Sequence, residues 1–342
     1  NTGVSNMSLF GVSDSSGFLR TNLPQYYFGN PRVYSPIDRD QDVDTFTQEL
    51  RLASQTDGKI SWIGGLFYLK RDLDFDLYQP LLGVTEYTNA YFGTTGLGID
   101  FTDVLAYGGQ QQEFTDFSIF GEVTYQMTDQ WQVTAGVRRF DNETKGTAGI
   151  PLPYASRTFE FYYYGTATDD FLLGGINPTN GQDDGTLIKL NTSYDVNENT
   201  MIFATYSEGF RASGVNQLPE FDPWGTDYRE FLTFEPDDVK NYEVGIKGVF
   251  NHRFTYSFTR FNTDWENFQV TLYSLFGIGF VDNVPSAESK GFEFELNGNL
   301  TDNFNINFGY SHADAKITES FLYSRIADKY VSKGARLPGS AE

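Results

Sequence analysis

Five acidic side chains near the start of the chain have the spacing of a calcium-binding loop. They occupy positions 1, 3, 5, 7 and 12 of an EF-hand-like pattern: Asp38, Asp40, Asp42, Asp44 and Glu49. Carboxylate oxygens at this spacing suit Ca²⁺, which prefers hard oxygen ligands. The pattern also needs glycine at position 6, where this chain has Val43, and it needs flanking helices, which the sequence does not indicate. We therefore expect an acidic loop leading into a strand, and no metal site.

The sequence offers little for covalent catalysis. Residues 309–313 (GYSHA) resemble the turn that presents a serine nucleophile, but the final glycine is replaced by Ala313 and no histidine follows His312. The other histidine, His252, falls in a predicted tight turn, so a Ser-His-acid triad is not expected. The chain has no cysteine, which excludes disulfides, thiolate metal sites and cysteine nucleophiles. The glycine-rich run 93–98 lacks the lysine and helix of a phosphate-binding loop. We predict neither enzyme activity nor a cofactor.

Two features could bind a ligand. An aromatic run at 159–164 lies between two predicted strands and includes four candidate residues: Phe161, Tyr162, Tyr163 and Tyr164. Such rings can stack on an aryl group or a sugar. The alternative, which we favour, is that this run continues the strands and joins an aromatic girdle. Arg211, at the outer end of a predicted strand, could pair with an anionic ligand or form a structural ion pair.

These residues are set among five copies of one hairpin unit. Each copy has an alternating apolar and polar strand, a short polar turn and a second alternating strand, with turns predicted at 56–59, 128–131, 197–199, 251–253 and 302–303. In the clearest copy a side-chain period of two places six apolar residues on one face: Phe292, Phe294, Leu296, Phe304, Ile306 and Phe308. The sequence therefore predicts an antiparallel all-β protein with almost no helix.

Long segments separate the hairpins, at about 77–113, 147–185, 212–238 and 274–287. Connectors of this length are uncommon in a compact soluble domain. Short turns at one end and long loops at the other are typical of an outer-membrane β-barrel, whose loops are extracellular. Residues 1–46, which contain three prolines in their first 36 positions, could be strand or loop.

Composition agrees with a barrel. Aromatics make up 17% of the 342 residues, the mean hydropathy is −0.41, and no run of 18 apolar residues could form a transmembrane helix. The net charge of −22 argues against nucleic-acid binding. A soluble all-β carbohydrate-binding or hydrolytic domain would need cover on both faces of its strands. The sequence offers no helices to cover the apolar face, which favours contact with lipid.

Several blocks, taken in order and with their spacing, resemble the TonB-dependent outer-membrane receptors, especially the iron-complex type. The blocks are 48–53 (QELRLA), 64–68 (GGLFY), 204–211 (ATYSEGFR), 234–236 (FEP), 241–247 (NYEVGIK) and 288–295 (ESKGFEFE). The resemblance covers about 45–342 and implies a 22-stranded barrel filled by an N-terminal plug. Against that pattern, we expect this chain to be a middle fragment of about ten to twelve strands, without the plug and the C-terminal strands.

The resemblance also implies a function. Such receptors reside in the outer membrane of Gram-negative bacteria and import scarce nutrients, commonly a ferric siderophore. The implied partners are the TonB–ExbB–ExbD complex acting through the plug, the lipid bilayer with lipopolysaccharide, and an extracellular ferric chelate. A passive porin-like barrel, or uptake of cobalamin, haem or oligosaccharide, remains the alternative.

Overall fold

The computed structural model describes residues 36–55, 58–164, 176–218, 220–221, 226–273, 279–301, 303–324 and 329–337. The strands, in chain order, are β1 (Asp38–Ala53), β2 (Ile60–Pro80), β3 (Val104–Gln126), β4 (Trp131–Gly149), β5 (Asn177–Asn197), β6 (Thr200–Arg211), β7 (Gly214–Val215), β8 (Thr233–Phe234), β9 (Asp237–Phe250), β10 (Phe254–Tyr273), β11 (Gly279–Thr301), β12 (Phe304–Ile317), β13 (Phe321–Ser324) and β14 (Lys329–Val331). Two helices, α1 (Val84–Phe92) and α2 (Pro153–Tyr164), and a 3₁₀ turn (Arg229–Phe231) lie between strands. No helix among these residues is long and apolar enough to cross a membrane.

Ten of the strands form a single antiparallel sheet in the order β1-β2-β3-β4-β5-β6-β9-β10-β11-β12. Each strand pairs with the next along the chain, except that β6 pairs with β9 because the short β7–β8 ribbon forms in the intervening connection. The sheet has two edges, β1 and β12, and does not close on itself within the described residues. The unclosed antiparallel sheet of ten strands agrees with the expected partial barrel of about ten to twelve strands.

All five predicted turns separate paired strands. β3 and β4 are joined at 127–130, β5 and β6 at 198–199, and β9 and β10 at 251–253. In the last of these, Asn251 and His252 both have φ of 51°, a left-handed conformation that asparagine tolerates better than most residues. The other two predicted turns fall between β1 and β2 and between β11 and β12, although their residues 56, 57 and 302 lie outside the described ranges. All five turns lie at the same end of the strands, which we call the turn end. The opposite end of the strands is the loop end.

The sheet has one apolar face, and that face is bare. Directly paired residues share a face in an antiparallel sheet, and the register pairs Phe258 with both Ile246 and Phe294. The six residues predicted to share a face do so, and none of them is buried; Phe304 is 55% exposed and Phe308 is 49% exposed. The same face continues across the sheet through exposed residues that include Leu50, Leu52, Trp62, Leu66, Ile119, Val123, Val137, Leu190, Ile202 and Val244. A two-sheet core would have buried these side chains, so the sandwich alternative is wrong for this wall.

The opposite face is polar, with an unexpected set of phenylalanines. Four of them lie across a glycine directly paired with them on the neighbouring strand: Phe120 over Gly65, Phe140 over Gly185, Phe203 over Gly245 and Phe261 over Gly291. A Cβ on any of these glycines would lie 2.5–2.7 Å from the ring. Glycine lets the ring lie flat on the backbone, so a large apolar group can occupy a polar face.

Strands reach further toward the loop end than the sequence indicates. β3 begins at Val104, β5 at Asn177 and β11 at Gly279, all inside segments predicted as loops. In residues 109–113 of β3 and 180–184 of β5 both faces are polar, so a period-two pattern could not find these parts. β1 likewise begins at Asp38, so the expected acidic loop is a strand. An extended strand spreads its carboxylates along one line, which is incompatible with a wrapped EF-hand-like loop.

Candidate functional site

At the loop end, connections from distant strands meet over the polar face. Seven buried residues form one apolar cluster there: Ala106, Ile150, Leu152, Leu218, Tyr228, Leu272 and Phe280. They come from the loop-end parts of β3, β10 and β11, from the connection that follows β4, and from the connection between β6 and β9. β3 and β11 are six places apart in the sheet. The curved wall therefore brings its two halves together above the polar face.

A second unit at the loop end consists of α1, α2 and the chain between α1 and β3. Phe161 lies on α2, where its ring centroid is 5.2 Å from those of both Phe92 and Phe101. The sequence-based preference for a strand in the run 159–164 is therefore wrong, because the run belongs to a helix held by this aromatic contact. Tyr162, Tyr163 and Tyr164 end the same helix, and their side chains lie outside the described part of the chain.

Asp103 fixes the start of α1 from a distant position. The helix begins after Gly83, which has φ of 84° and no side chain with which to cap it. The Asp103 carboxylate instead accepts hydrogen bonds from the backbone N–H groups of Thr85 (2.8 Å) and Gly83 (3.0 Å). Partial burial works to raise the pKa of Asp103, but these hydrogen bonds outweigh it and hold the pKa below its usual value.

Arg211, the predicted ligand residue, is engaged within the protein. Its Nε atom donates to both oxygens of Asp237, at 2.8 and 3.1 Å, and one Nη atom contacts the same carboxylate. Asp237 is fully buried, whereas the Arg211 side chain remains 45% exposed. The guanidinium also lies 5.2 Å from the ring centre of Trp265 and 5.3 Å from that of Phe268. This is the structural ion pair left open by the sequence; a further contact from Arg211 to a ligand stays a prediction.

The two aromatic partners of Arg211 contact each other across an irregular backbone position in β10. Residues three apart in a regular strand point to opposite faces. Trp265 and Phe268 nevertheless contact each other, with ring centroids 4.8 Å apart, and Asn267 between them has φ of 53°. Sequence reasoning missed Asp237, Trp265 and Phe268 because the register of β6, β9 and β10, rather than any local spacing, brings them to Arg211.

The connection between β6 and β9 crosses the loop end. We call its described residues, 212–218, 220–221 and 226–236, the crossing segment. Its Asn216 side chain donates to the carbonyl oxygens of Phe231 (2.7 Å) and Val281 (2.6 Å) and accepts from the N–H of Val281 (2.8 Å). At its far end, the Gln217 amide reaches Gln110 of β3, at 3.4 Å. The crossing segment thus touches strands on both halves of the wall.

The crossing segment leaves the sheet where β5 and β6 separate. Pairing between these strands stops at Lys189 and Ser207. Beyond that point, the Glu208 side chain accepts the N–H of Ile188 (2.9 Å), and the Phe210 ring stacks on Phe140 with centroids 3.8 Å apart. Side chains therefore fill the gap between β5 and β6 and accept one of its backbone N–H groups. The crossing segment emerges from this gap.

Nearer the turn end, the polar face carries ion pairs that span strands. Lys189 of β5 reaches Glu122 of β3 at 2.8 Å, across Gly136 of the strand between them. Arg138 bonds to Asp116 (3.0 Å) and Ser118 (3.1 Å) and lies over the Phe67 ring. In the part of the chain that the structure describes, no group of three or more His, Cys, Asp or Glu side chains is placed to hold a metal ion. The face is suited to contact a polar, hydrated interior.

Known proteins share this architecture. The profile of the TonB-dependent receptor-like β-barrel family matches residues 5–342. The ferripyoverdine receptor of Pseudomonas aeruginosa is 29% identical over 157 residues, which are 44% of this chain and 18% of that protein. The solved ferric yersiniabactin uptake receptor of Yersinia pestis superposes with a TM-score of 0.60 at 15% identity, over 82% of this chain and 37% of that one. The siderophore receptor PiuA of Acinetobacter baumannii gives 0.55 at 18% identity, over 84% and 40%.

The chain therefore spans less than half of the proteins it matches, and the structural likenesses bear on fold alone. The family profile covers nearly all of the chain and agrees with the ten-stranded wall, the bare apolar face and the turns at one end. The chain belongs to the TonB-dependent receptor β-barrel family.

Proposed function

We propose that this chain forms about ten strands of the barrel of a receptor that imports a ferric siderophore through the outer membrane of a Gram-negative bacterium. Matched relatives include receptors named for ferripyoverdine and ferric pyoverdine, which supports the ligand class. Further strands would complete the barrel in the full receptor, because the ten-stranded sheet of the described residues does not close around a lumen. A plug inside that lumen is part of the proposal.

One observation carries the proposal: an apolar face suited to lipid lies opposite a polar face whose loop end is covered by folded connections. In an outer-membrane barrel the apolar face contacts lipid and the polar face lines the lumen. The extracellular loops are then the first part of the receptor that the ligand meets. The remaining proposed partners are TonB with ExbB and ExbD, reached through the plug, and lipopolysaccharide around the outer rim.

Uptake of radioactive iron tests the proposal. The full-length receptor would be expressed in cells that lack their own siderophore receptors, and iron would be supplied as ferric pyoverdine, a ferric catecholate or a ferric hydroxamate. We expect one of these complexes to support uptake that disappears when tonB is deleted. Uptake that is independent of TonB and follows only solute size would favour the passive porin instead.

A matched pair of variants tests whether the ligand binds at the loop end. Arg229 lies in the crossing segment, lies over the Phe221 ring and pairs with Asp227 at 2.6 Å. Arg253 lies in the β9–β10 turn at the opposite end of the wall. Arg229→Gln is expected to weaken ligand binding and Arg253→Gln to leave it unchanged. Equal loss in both variants would contradict a binding site at the loop end.

A further inference from the structure

We propose that strands β10–β12 bind lipopolysaccharide through Arg260, which holds a phosphate of the glycolipid at the border of the apolar face. The inference rests on the lipopolysaccharide contact within the proposed function and assigns it to residues, whichever nutrient the receptor imports. Its support is an arginine that has no acidic partner and lies among side chains that face lipid. We call the side of the sheet that carries the apolar face the lipid side.

Arg260 is a charged residue on the lipid side of β10. It follows Phe258 by two positions in the strand, so both side chains lie on the same face. The register pairs Arg260 with Val244 of β9, which is 54% exposed, and with Phe292 of β11. A charge on a lipid-facing strand costs least where the lipid layer ends, because a long side chain can reach the headgroups there. Arg260 therefore marks the border of the lipid layer on β10.

The Arg260 guanidinium is unpaired. It is exposed, and among the residues that the structure describes it has neither a hydrogen bond nor an ion pair. The lysines nearby on the lipid side differ, because Lys240 pairs with Glu266 and Lys290 pairs with Glu288, at 2.8 Å each. An unpaired guanidinium presents its N–H donors to an anion, and its planar fork suits the oxygens of a phosphate.

The neighbours of Arg260 suit the rest of a phosphorylated glycolipid. His312 of β12 pairs with Phe292 in the same row as Arg260, with ring centroids 5.8 Å apart, and is exposed. Toward the turn end the lipid side continues through Phe308 and Tyr310, which are 49% and 52% exposed. Acyl chains would lie against these rings while the two polar side chains donate to phosphate. Because the loop end of an outer-membrane barrel is extracellular, this lipid belongs to the outer leaflet, where lipopolysaccharide is the glycolipid.

The other half of the wall has the opposite charge on its lipid side. Beyond Phe46, strands β1 and β2 carry three directly paired sets of aspartates: Asp40 with Asp76, Asp42 with Asp74 and Asp44 with Asp72. Arg139 of β4, also on the lipid side, is already paired with Asp184. Like charges repel, so phosphate is disfavoured at β1–β4 and favoured at β10–β12. The glycolipid is therefore expected to bind at one part of the barrel's circumference.

Binding of lipid A to the purified full-length receptor in detergent tests the site. Lipid A is the phosphorylated, acylated disaccharide that anchors lipopolysaccharide. Arg260→Gln removes the unpaired cation, and Arg139→Gln, which removes a paired arginine from the same side of the sheet, is the matched control. We expect Arg260→Gln to weaken binding of lipid A by about tenfold and Arg139→Gln to leave it unchanged. Equal binding by both variants would overturn the proposal.

Other lipids identify the group that is recognised. The wild-type receptor should bind dephosphorylated lipid A about tenfold more weakly than lipid A, with no further loss in Arg260→Gln. Arg260→Lys, which keeps the charge, should recover part of the binding. Binding of phosphatidylglycerol as tight as that of lipid A, or competition by inorganic phosphate alone, would overturn the assignment to lipopolysaccharide. Iron uptake is measured separately: lipid A binding without uptake would contradict the transport function alone, and uptake without lipid A binding would contradict the lipid site alone.

Discussion

At the scale of single residues, the loop end depends on a few carboxylates placed by the fold rather than by local sequence. Asp103 lies 18 and 20 positions along the chain from Thr85 and Gly83, whose N–H groups it accepts. It therefore caps the N-terminus of α1 from a distant position. Because the pKa of Asp103 is lowered in the folded chain, its contribution to stability is present above the usual aspartate value of about 4 and is lost as the pH falls through the lowered value.

We predict that α1 loses order below about pH 4 while the sheet remains folded. Hydrogen exchange of the Thr85 and Gly83 amides would follow this loss. Asp103→Asn should weaken protection of α1 at neutral pH, by an amount equivalent to about 1 kcal/mol, and remove most of its pH dependence. Asp129→Asn, in the exposed β3–β4 turn, is the matched control and should change neither.

The pair of Arg211 with Asp237 makes a second residue-scale prediction. Arg211→Gln leaves a buried carboxylate without its cation and should destabilise the folded protein by about 2 to 3 kcal/mol, less than for a fully buried pair because Arg211 is 45% exposed. Adding Asp237→Asn should recover part of that loss, as a double-mutant cycle in urea would measure. Arg229→Gln, which breaks an exposed pair, should leave the unfolding midpoint unchanged. Additive effects of Arg211→Gln and Asp237→Asn would contradict a direct coupling.

At the scale of elements, the alternation of apolar and polar residues predicts strands only where one face of the sheet is apolar. The turn-end halves of the hairpins have that pattern, and all five turns follow from it. The loop-end halves of β3 and β5, such as 109–113 and 180–184, are polar on both faces and read as loop. The run at 159–164 has the residues of a strand, but the contact of Phe161 with Phe92 and Phe101 stabilises a helix. Arg211 could be identified as a candidate from the sequence. Its partners Asp237, Trp265 and Phe268 could not, because the register of the strands decides which residues lie beside Arg211.

The phenylalanine and glycine pairs on the polar face predict a sharp steric limit. At Gly245, a Cβ would lie 2.6 Å from the Phe203 ring and 2.7 Å from the Phe258 carbonyl oxygen. Gly245→Val should therefore prevent normal pairing among β6, β9 and β10 and reduce the heat-modifiable folded band on gels. Gly121→Val is the control, because its Cβ would meet only a carbonyl oxygen at 3.8 Å. Equal folding of both variants would contradict the close approach.

At the scale of the whole molecule, two features make the wall unsuited to water. The apolar face is exposed from β1 to β12. Among the described residues, no further strand of the sheet pairs with the outer side of β1 or β12, and only the last residues of β12, Ala315 and Ile317, bond outward to residues 334–337. A bare apolar face and long unpaired edges are both liabilities for aggregation. A lipid layer or detergent covers the face, while only further strands can satisfy the edges.

We therefore predict that these 342 residues, expressed alone without detergent, accumulate in inclusion bodies. Detergent should recover β-structure but leave the edges open to pairing, so we expect oligomers rather than a monomer. Proline placed on the β12 edge, as in Asn307→Pro, should reduce that association, because proline lacks the N–H needed for pairing; Asn199→Pro, in the β5–β6 turn, provides the comparison. Sedimentation and circular dichroism in detergent would measure both effects. A soluble monomer with a cooperative melt in plain buffer would contradict the assignment of the apolar face to lipid.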